Sequence, residues 1–161
     1  GEETIVLEEE FERLDDRLSD LTERIDAAEE SQQLMQIASN VQTRFGGVSY
    51  LCDEFGSDAE VTVRGLTAGE YAAFEDKTAQ YSQEADGPIP GARKNVYAAA
   101  GLVDGPFEDL EEAEGLDDYL AIVAQQPVGV RDWIHHRVDD LTTVSGDDFR
   151  PLSERLAALR E

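Results

Sequence analysis

The strongest constraint on the fold is a set of seven apolar residues near the start of the chain, at alternating spacings of four and three. This spacing places them along one side of a helix, as the a and d positions of successive heptads with charged neighbours at e and g. So narrow an apolar stripe requires a second helix to cover it, because contact with water is unfavourable. The stripe, called the seam below, consists of Leu7, Phe11, Leu14, Leu18, Leu21, Ile25 and Ala28.

Two partners could cover the seam. A later helix of the same chain would give an intramolecular hairpin, whereas a second molecule would make the segment a self-association or docking arm. We favour the arm, because the later helices of the sequence are shorter. The pair Gly46-Gly47 predicts the end of this first helix. The chain therefore divides into an N-terminal helical arm at residues 1–46, with its seam at 7–28, and a small mainly α-helical domain at 47–161.

The second part of the chain predicts short helices and a single strand. Alternating apolar residues indicate a strand at 60–64, and Thr67 followed by Glu70 is a capping box that opens a helix. The later helices are predicted from about Ala92 to Ala100, around Tyr119 to Val123, after Pro127 and after Pro151. The predicted fold class is mostly α: a long N-terminal helix with a coiled-coil-type seam plus a small α-helical domain with one short β element.

The charge of the chain restricts its partners. Asp and Glu number 37 against 13 Lys and Arg, which gives a formal net charge of −24. Nucleic acids and anionic membranes are bound through basic surface, so this composition argues against both partners. The acids are spread through the chain, and arginine outnumbers lysine eleven to two, as in proteins of halophilic archaea. Because the Debye length falls to about 3 Å at molar salt, we predict a protein adapted to a salty solvent.

No motif for catalysis, a cofactor or a metal occurs in the sequence. The histidines, His135 and His136, are adjacent and diverge on a helix, so we interpret them as solvated or capping residues. The acidic runs lack the ligand order of a calcium loop, and no apolar run reaches the roughly 20 residues of a membrane span. Cys52 is interpreted as a buried small apolar residue and Trp133 as a core residue. We expect a protein that is not an enzyme.

Between about residues 59 and 145, a strand leading into a capped helix is followed by a glycine-flanked turn and a proline-led helix. The segments that carry this series are residues 61–71, 93–97, 101–106, 126–130 and 141–145. The series resembles the tail assembly chaperones of tailed phages and their counterparts in the tailed viruses of haloarchaea. The first 45 residues depart from that pattern, because a heptad arm is not expected there.

The resemblance implies a non-catalytic role: binding tail or tape-measure components while the tail tube polymerises, in the cytoplasm of a halophilic host or within the assembled virus particle. The expected partners are tail or other particle proteins, a second copy of the chain, or both. Two alternatives remain open: a permanent structural or adaptor component that docks through the N-terminal helix, and a cytoplasmic acidic regulatory protein with a basic client. The expected contact residues are those of the seam: Leu7, Phe11, Leu14, Leu18, Leu21 and Ile25.

Overall fold

The computed structural model describes residues 1–27, 32–85 and 91–143, and the fold is mostly helical with a small antiparallel sheet. The strands are β1 (Glu2–Val6), β2 (Glu60–Arg64) and β3 (Leu102–Asp104). The helices are α1 (Leu7–Ala27), α2 (Gln32–Phe55), α3 (Ala68–Glu84), α4 (Ala92–Gly101), α5 (Leu116–Ala124) and α6 (Val128–Thr143). The predicted fold class is thus confirmed. The helix predicted after Pro151, and Ala28 of the seam, lie outside the described residues.

The seam is covered by the chain itself. Helix α1 begins at Leu7 and packs along α2, and the ring of Phe11 lies 4.7 Å from that of Phe45 between centroids. Since only residues 28–31 separate the two helices, this contact requires them to run antiparallel. The intramolecular hairpin is therefore the arrangement in this structure, in place of the single long helix and free arm that we favoured from the sequence.

The predicted helix end at Gly46-Gly47 is wrong, because α2 continues through both glycines to Phe55. The reason is a close crossing of α2 and α6. A Cβ atom added at Gly47 would overlap the backbone of Gly129, and one added at Gly129 would overlap the carbonyl oxygen of Thr43. The glycine therefore serves close helix packing instead of ending the helix. The boundary drawn between residues 46 and 47 consequently falls inside α2.

The strand predicted at 60–64 is confirmed as β2, the central strand of a three-stranded antiparallel sheet with the order β1-β2-β3. Strand β1 pairs with β2 so that Ile5 lies opposite Val61, and β3 pairs so that Leu102 lies opposite Val63. The two edge strands were not predicted. Strand β1 begins with exposed polar residues, and β3 is only three residues long, so neither shows the usual alternation.

The capping box at the start of α3 is confirmed. The Thr67 hydroxyl accepts from the Glu70 amide at 3.2 Å, and the Thr67 amide donates to the Glu70 carboxylate at 3.1 Å. Helices α4, α5 and α6 also lie where they were predicted. The core joins residues from every helix and strand, with Trp133 of α6 fully buried in it as expected. None of the helices described is long and apolar enough to cross a membrane.

Candidate functional site

The structure divides the six described seam residues between core and surface. Leu7, Leu14 and Leu21 are no more than 1% exposed, whereas Phe11, Leu18 and Ile25 are half-buried. The d-position leucines therefore stabilise the hairpin between α1 and α2. They leave no apolar d face on α1 for another protein while this fold is intact.

A different surface has the shape of a binding site. A groove of about 510 Å³ lies between the sheet and helices α3, α4 and α5, and we call it the sheet-end groove. Its floor is apolar and includes three alanines, whereas its rim carries charge. The floor is formed by Ala73, Ala99, Ala100, Leu102, Val103, Leu116 and Tyr119, and the charged rim by Glu2, Arg64, Glu70 and Glu114.

The local sequence explains why this space is open. Helix α4 ends in an alanine run and passes directly into β3, so Ala99 and Ala100 present only methyl groups to the groove. Gly101 follows them, and a Cβ atom there would overlap the side chain of Val138 on α6 and the carbonyl oxygen of Arg64. The absence of a side chain thus lets α6 and β2 approach from one side, while the alanines leave the other side unfilled.

The rim of the sheet-end groove is negative on balance. Arg64 forms an ion pair with Glu70 and donates to the carbonyl oxygen of Ala100 at 3.4 Å. Burial acts to raise the pKa of the Glu70 carboxyl, but the hydrogen bonds from Arg64 and Thr67 outweigh it and hold the pKa below its usual value. Glu70 is therefore ionised and neutralises Arg64, so that Glu2 and Glu114 leave excess negative charge beside an apolar floor. Such a surface suits an apolar side chain with basic neighbours.

A second feature, a buried charge cluster, joins α1 to α6. The indole Nε1 of Trp133 donates to Glu10 Oε2 at 2.9 Å, and Nε of Arg137 lies 3.3 Å from the same oxygen, within ion-pair distance but not aligned as a hydrogen bond. Arg13 pairs with the other carboxylate oxygen. Glu10 lies at a heptad g position, which usually faces solvent, so sequence periodicity carried no sign of its burial. This cluster is enclosed and is better suited to holding helices together than to reacting with a ligand.

The histidines are partly exposed and do not cap a helix. Both are half-buried in the middle of α6, and the His136 side chain is 35% exposed. The His135 ring lies 5.0 Å from the ring of Tyr97, and His136 Nε2 lies 3.5 Å from an oxygen of Asp140. Burial is the largest influence on each, and it holds the pKa of both imidazoles below the usual value.

Cys52 is half-buried on α2, less enclosed than we expected from the sequence. Its thiol pKa is raised, first by burial and then by the negative charges of Asp53 and Glu8. The thiolate, which is the nucleophilic form, is therefore disfavoured. Among the residues that the structure describes, no group of three or more His, Cys, Asp or Glu is arranged to hold a metal ion.

Comparison with known proteins identifies no relative of this chain. No family model matches the chain, and neither a curated protein nor a solved structure does.

Proposed function

We propose that this protein is a non-enzymatic protein-binding factor in the assembly of a haloarchaeal tailed-virus or tail-like particle, similar in role to a tail assembly chaperone. The observation that carries the proposal is the sheet-end groove, which combines an apolar floor with an acidic rim. A concave surface lined by apolar side chains with a few polar groups is the usual form of a binding site. The sequence resemblance over residues 59–145 supplies the assembly context.

The groove defines the chemistry of its partner. An apolar side chain fits the methyl-lined floor of Ala99 and Ala100, and flanking lysine or arginine residues complement Glu2 and Glu114. At molar salt the attraction between exposed charges is largely screened. Burial of apolar surface therefore supplies most of the affinity.

The acidic surface of the chain suits the same task. A net charge of −24 keeps the protein and any complex that displays it in solution, while the apolar contact surface of the partner is masked. Such a factor would act in the cytoplasm of a halophilic host during assembly, or remain in the particle.

Substitution of Ala73 by arginine tests the groove. Ala73 is exposed on α3 and lines the floor, so Ala73→Arg places a long cationic side chain across it without disturbing the core. The matched control is Ala72→Arg, which adds the same charge at an exposed neighbouring position outside the groove. Binding to the purified tail-tube and tape-measure proteins of the same virus would be followed in molar KCl by size-exclusion chromatography with light scattering. We expect Ala73→Arg to weaken binding by at least about tenfold, which corresponds to the loss of about 1.4 kcal/mol of contact free energy.

Two results would contradict the proposal. Equal binding by both variants would remove the groove as the contact surface. Absence of any complex with the unsubstituted chain would remove the assembly role.

The alternatives are separated by other measurements. Mass spectrometry of purified mature particles would detect a permanent structural component, whereas an assembly chaperone would be missing from them. A regulatory protein that holds a basic client by charge alone would lose it progressively as the salt concentration rises.

A further inference from the structure

Arg44 of α2 has no ion-pair partner among the residues that the structure describes. Every other lysine and arginine in the described ranges has a carboxylate oxygen within 4.0 Å, but Arg44 has none. Its Nε atom is also buried without a hydrogen-bond partner. Unpartnered buried donors are rare, because an unsatisfied donor loses its hydration without compensation, although Nε of Arg137 is in the same state. The feature particular to Arg44 is that it has no carboxylate partner among the described residues and that its side chain lines a cavity.

The surroundings of Arg44 form a pocket. A polar cavity of about 210 Å³ lies where α2, α4 and α6 meet, and side chains from all three helices line it. The lining residues are Asn40, Arg44, Lys94, Asp132, His135 and His136. All of these except Asp132 can donate hydrogen bonds to the cavity. The two imidazoles do so in a suitable tautomer or when protonated.

Of the neighbouring carboxylates, Asp132 and Glu10 already pair with other cations. Asp132, in the pocket wall, lies 2.9 Å from Nε of Arg131 and 3.9 Å from Nζ of Lys94. Asp140 lies against His136, and Glu10 is held by Arg13 and Arg137. Burial lowers the pKa of Arg44, and the like charge of Arg13 acts in the same direction, while Asp140, Asp132 and Glu10 oppose them from a distance. The guanidinium thus carries its charge into the cavity with no carboxylate in direct contact.

We propose that this cavity is a binding site for a small oxyanion of the sulfate or phosphate class. Its centre is the Arg44 guanidinium, whose terminal Nη groups are charged donors suited to the oxygens of an oxyanion, while the enclosed Nε takes no part. The Asn40 amide and the Lys94 ammonium add donors at the mouth, and the imidazoles supply the inner wall. The site is separate from the sheet-end groove and does not depend on it.

The pKa values of the two histidines should respond to a bound oxyanion. His136 faces Arg44 of α2 and Arg13 of α1, and on its own helix Asp140 and Arg137. His135 faces Lys94 of α4 and, on α6, Asp132, Asp139 and His136. Burial and the neighbouring cations keep both rings mainly neutral near neutral pH. A bound oxyanion adds negative charge beside them and favours their protonated forms, so binding is expected to raise the pKa of at least His136 and to strengthen as the pH falls.

Nuclear magnetic resonance of the two imidazoles tests the proposal. Sulfate is the probe, because it stays a dianion throughout the range in which histidine titrates. The ring signals would be followed against pH in molar KCl, with sulfate replacing part of the chloride at constant ionic strength. We expect sulfate to raise the pKa of His136 saturably in the unsubstituted chain. Arg44→Gln is expected to weaken sulfate binding by at least about tenfold, because it removes the charged donors at the centre of the site.

The controls separate a specific site from general effects of salt. Arg24→Gln removes an exposed arginine near the opposite end of α1 from Arg13 and should leave sulfate binding unchanged. Lys94→Gln changes an exposed side chain at the pocket mouth and should weaken binding several-fold, which provides a readout even where Arg44→Gln is poorly folded. An imidazole pKa that is the same in sulfate and in chloride would overturn the proposal, as would unchanged sulfate affinity in both pocket variants.

Discussion

Glu10 shows how a single residue can acquire a role that its position in the sequence does not suggest. Its carboxylate is 2% exposed, although it belongs to the charged flank of an amphipathic helix. Helix α6 approaches that flank and brings Trp133 and Arg137 to it, while Arg13 of the same helix pairs with it as well. A buried carboxylate is tolerated only when such partners compensate for its lost hydration.

Removal of the Glu10 charge should therefore destabilise the protein. In Glu10→Gln the amide can still accept from Trp133, but Arg137 loses a buried counter-charge. We expect a loss of about 3 kcal/mol in the free energy of unfolding, as is usual when one partner of a buried ion pair is removed. Urea unfolding in molar KCl would measure it. Glu9→Gln is the control, because Glu9 is exposed on the same helix turn, and equal midpoints for the two variants would contradict the prediction.

The stability that Glu10 contributes to the fold should depend on pH. Burial acts to raise the pKa of Glu10, but Arg13, Arg137 and Trp133 together outweigh it and lower the pKa below its ordinary value of 4.5. A lowered pKa in the fold means that the carboxylate stabilises the protein fully above about pH 4.5, and that this stabilisation is lost as the pH falls through the folded-state pKa. Below pH 4.5, the unfolding free energy of Glu10→Gln should accordingly fall less steeply than that of Glu9→Gln.

Among the elements, the crossing of α2 and α6 depends on glycine. Gly47 and Gly129 let the two backbones approach more closely than any side chain would permit. Gly46, the other half of the pair, is exposed on α2, and a Cβ atom there would meet nothing within 4 Å. A side chain is therefore excluded at Gly47 but permitted at Gly46, although the two glycines are neighbours in the sequence.

Alanine substitutions at this pair should act in opposite directions. Gly47→Ala forces a methyl group into the α6 backbone, and we expect a loss of about 1–3 kcal/mol from overpacking. Gly46→Ala only removes the conformational freedom of a glycine in a helix, so we expect a gain of roughly 0.5–1 kcal/mol. Thermal or urea unfolding of the two variants would measure both effects. A stabilising Gly47→Ala would show that α6 is not packed so closely against α2.

On the scale of the whole molecule, charge repulsion acts against the compact state. The chain has a formal net charge of −24, and the ion pairs of Arg17, Arg24 and Arg93 join exposed side chains, which contribute little stability individually. The fold therefore depends on apolar burial and on screening of the excess negative charge by ions of the solvent.

Salt should stabilise this protein strongly. Between dilute buffer and molar KCl the Debye length shortens from tens of ångströms to about 3 Å, so we expect the melting temperature to rise with most of the gain below about 1 M. Calorimetry over a KCl series would measure it, and a sucrose series would control for general effects of excluded solutes. An unchanged melting temperature across the KCl series would contradict adaptation of this chain to salt.

Local signals in the sequence predicted much of the fold. The alternation of Val61 and Val63 located the central strand, and Thr67 with Glu70 located the start of α3, because both signals depend only on residues a few positions apart. The edge strands escaped prediction because their pairing with β2 is a contact between distant parts of the chain. The sheet-end groove could not be predicted for the same reason, since its lining comes from six separate elements and the segment before α5.

By itself, the sequence determined the periodicity of each element and the sign of the surface charge. The heptad spacing of Leu7, Leu14 and Leu21 made their burial against a helix necessary, whatever the identity of that helix. Only the tertiary structure decided that the helix is α2, that Gly47 packs instead of ending a helix, and that Arg44 has no carboxylate within 4.0 Å among the described residues. The physical reason is that apolar spacing sets which face of an element must be buried, whereas the choice of what covers it depends on close packing among all the elements at once.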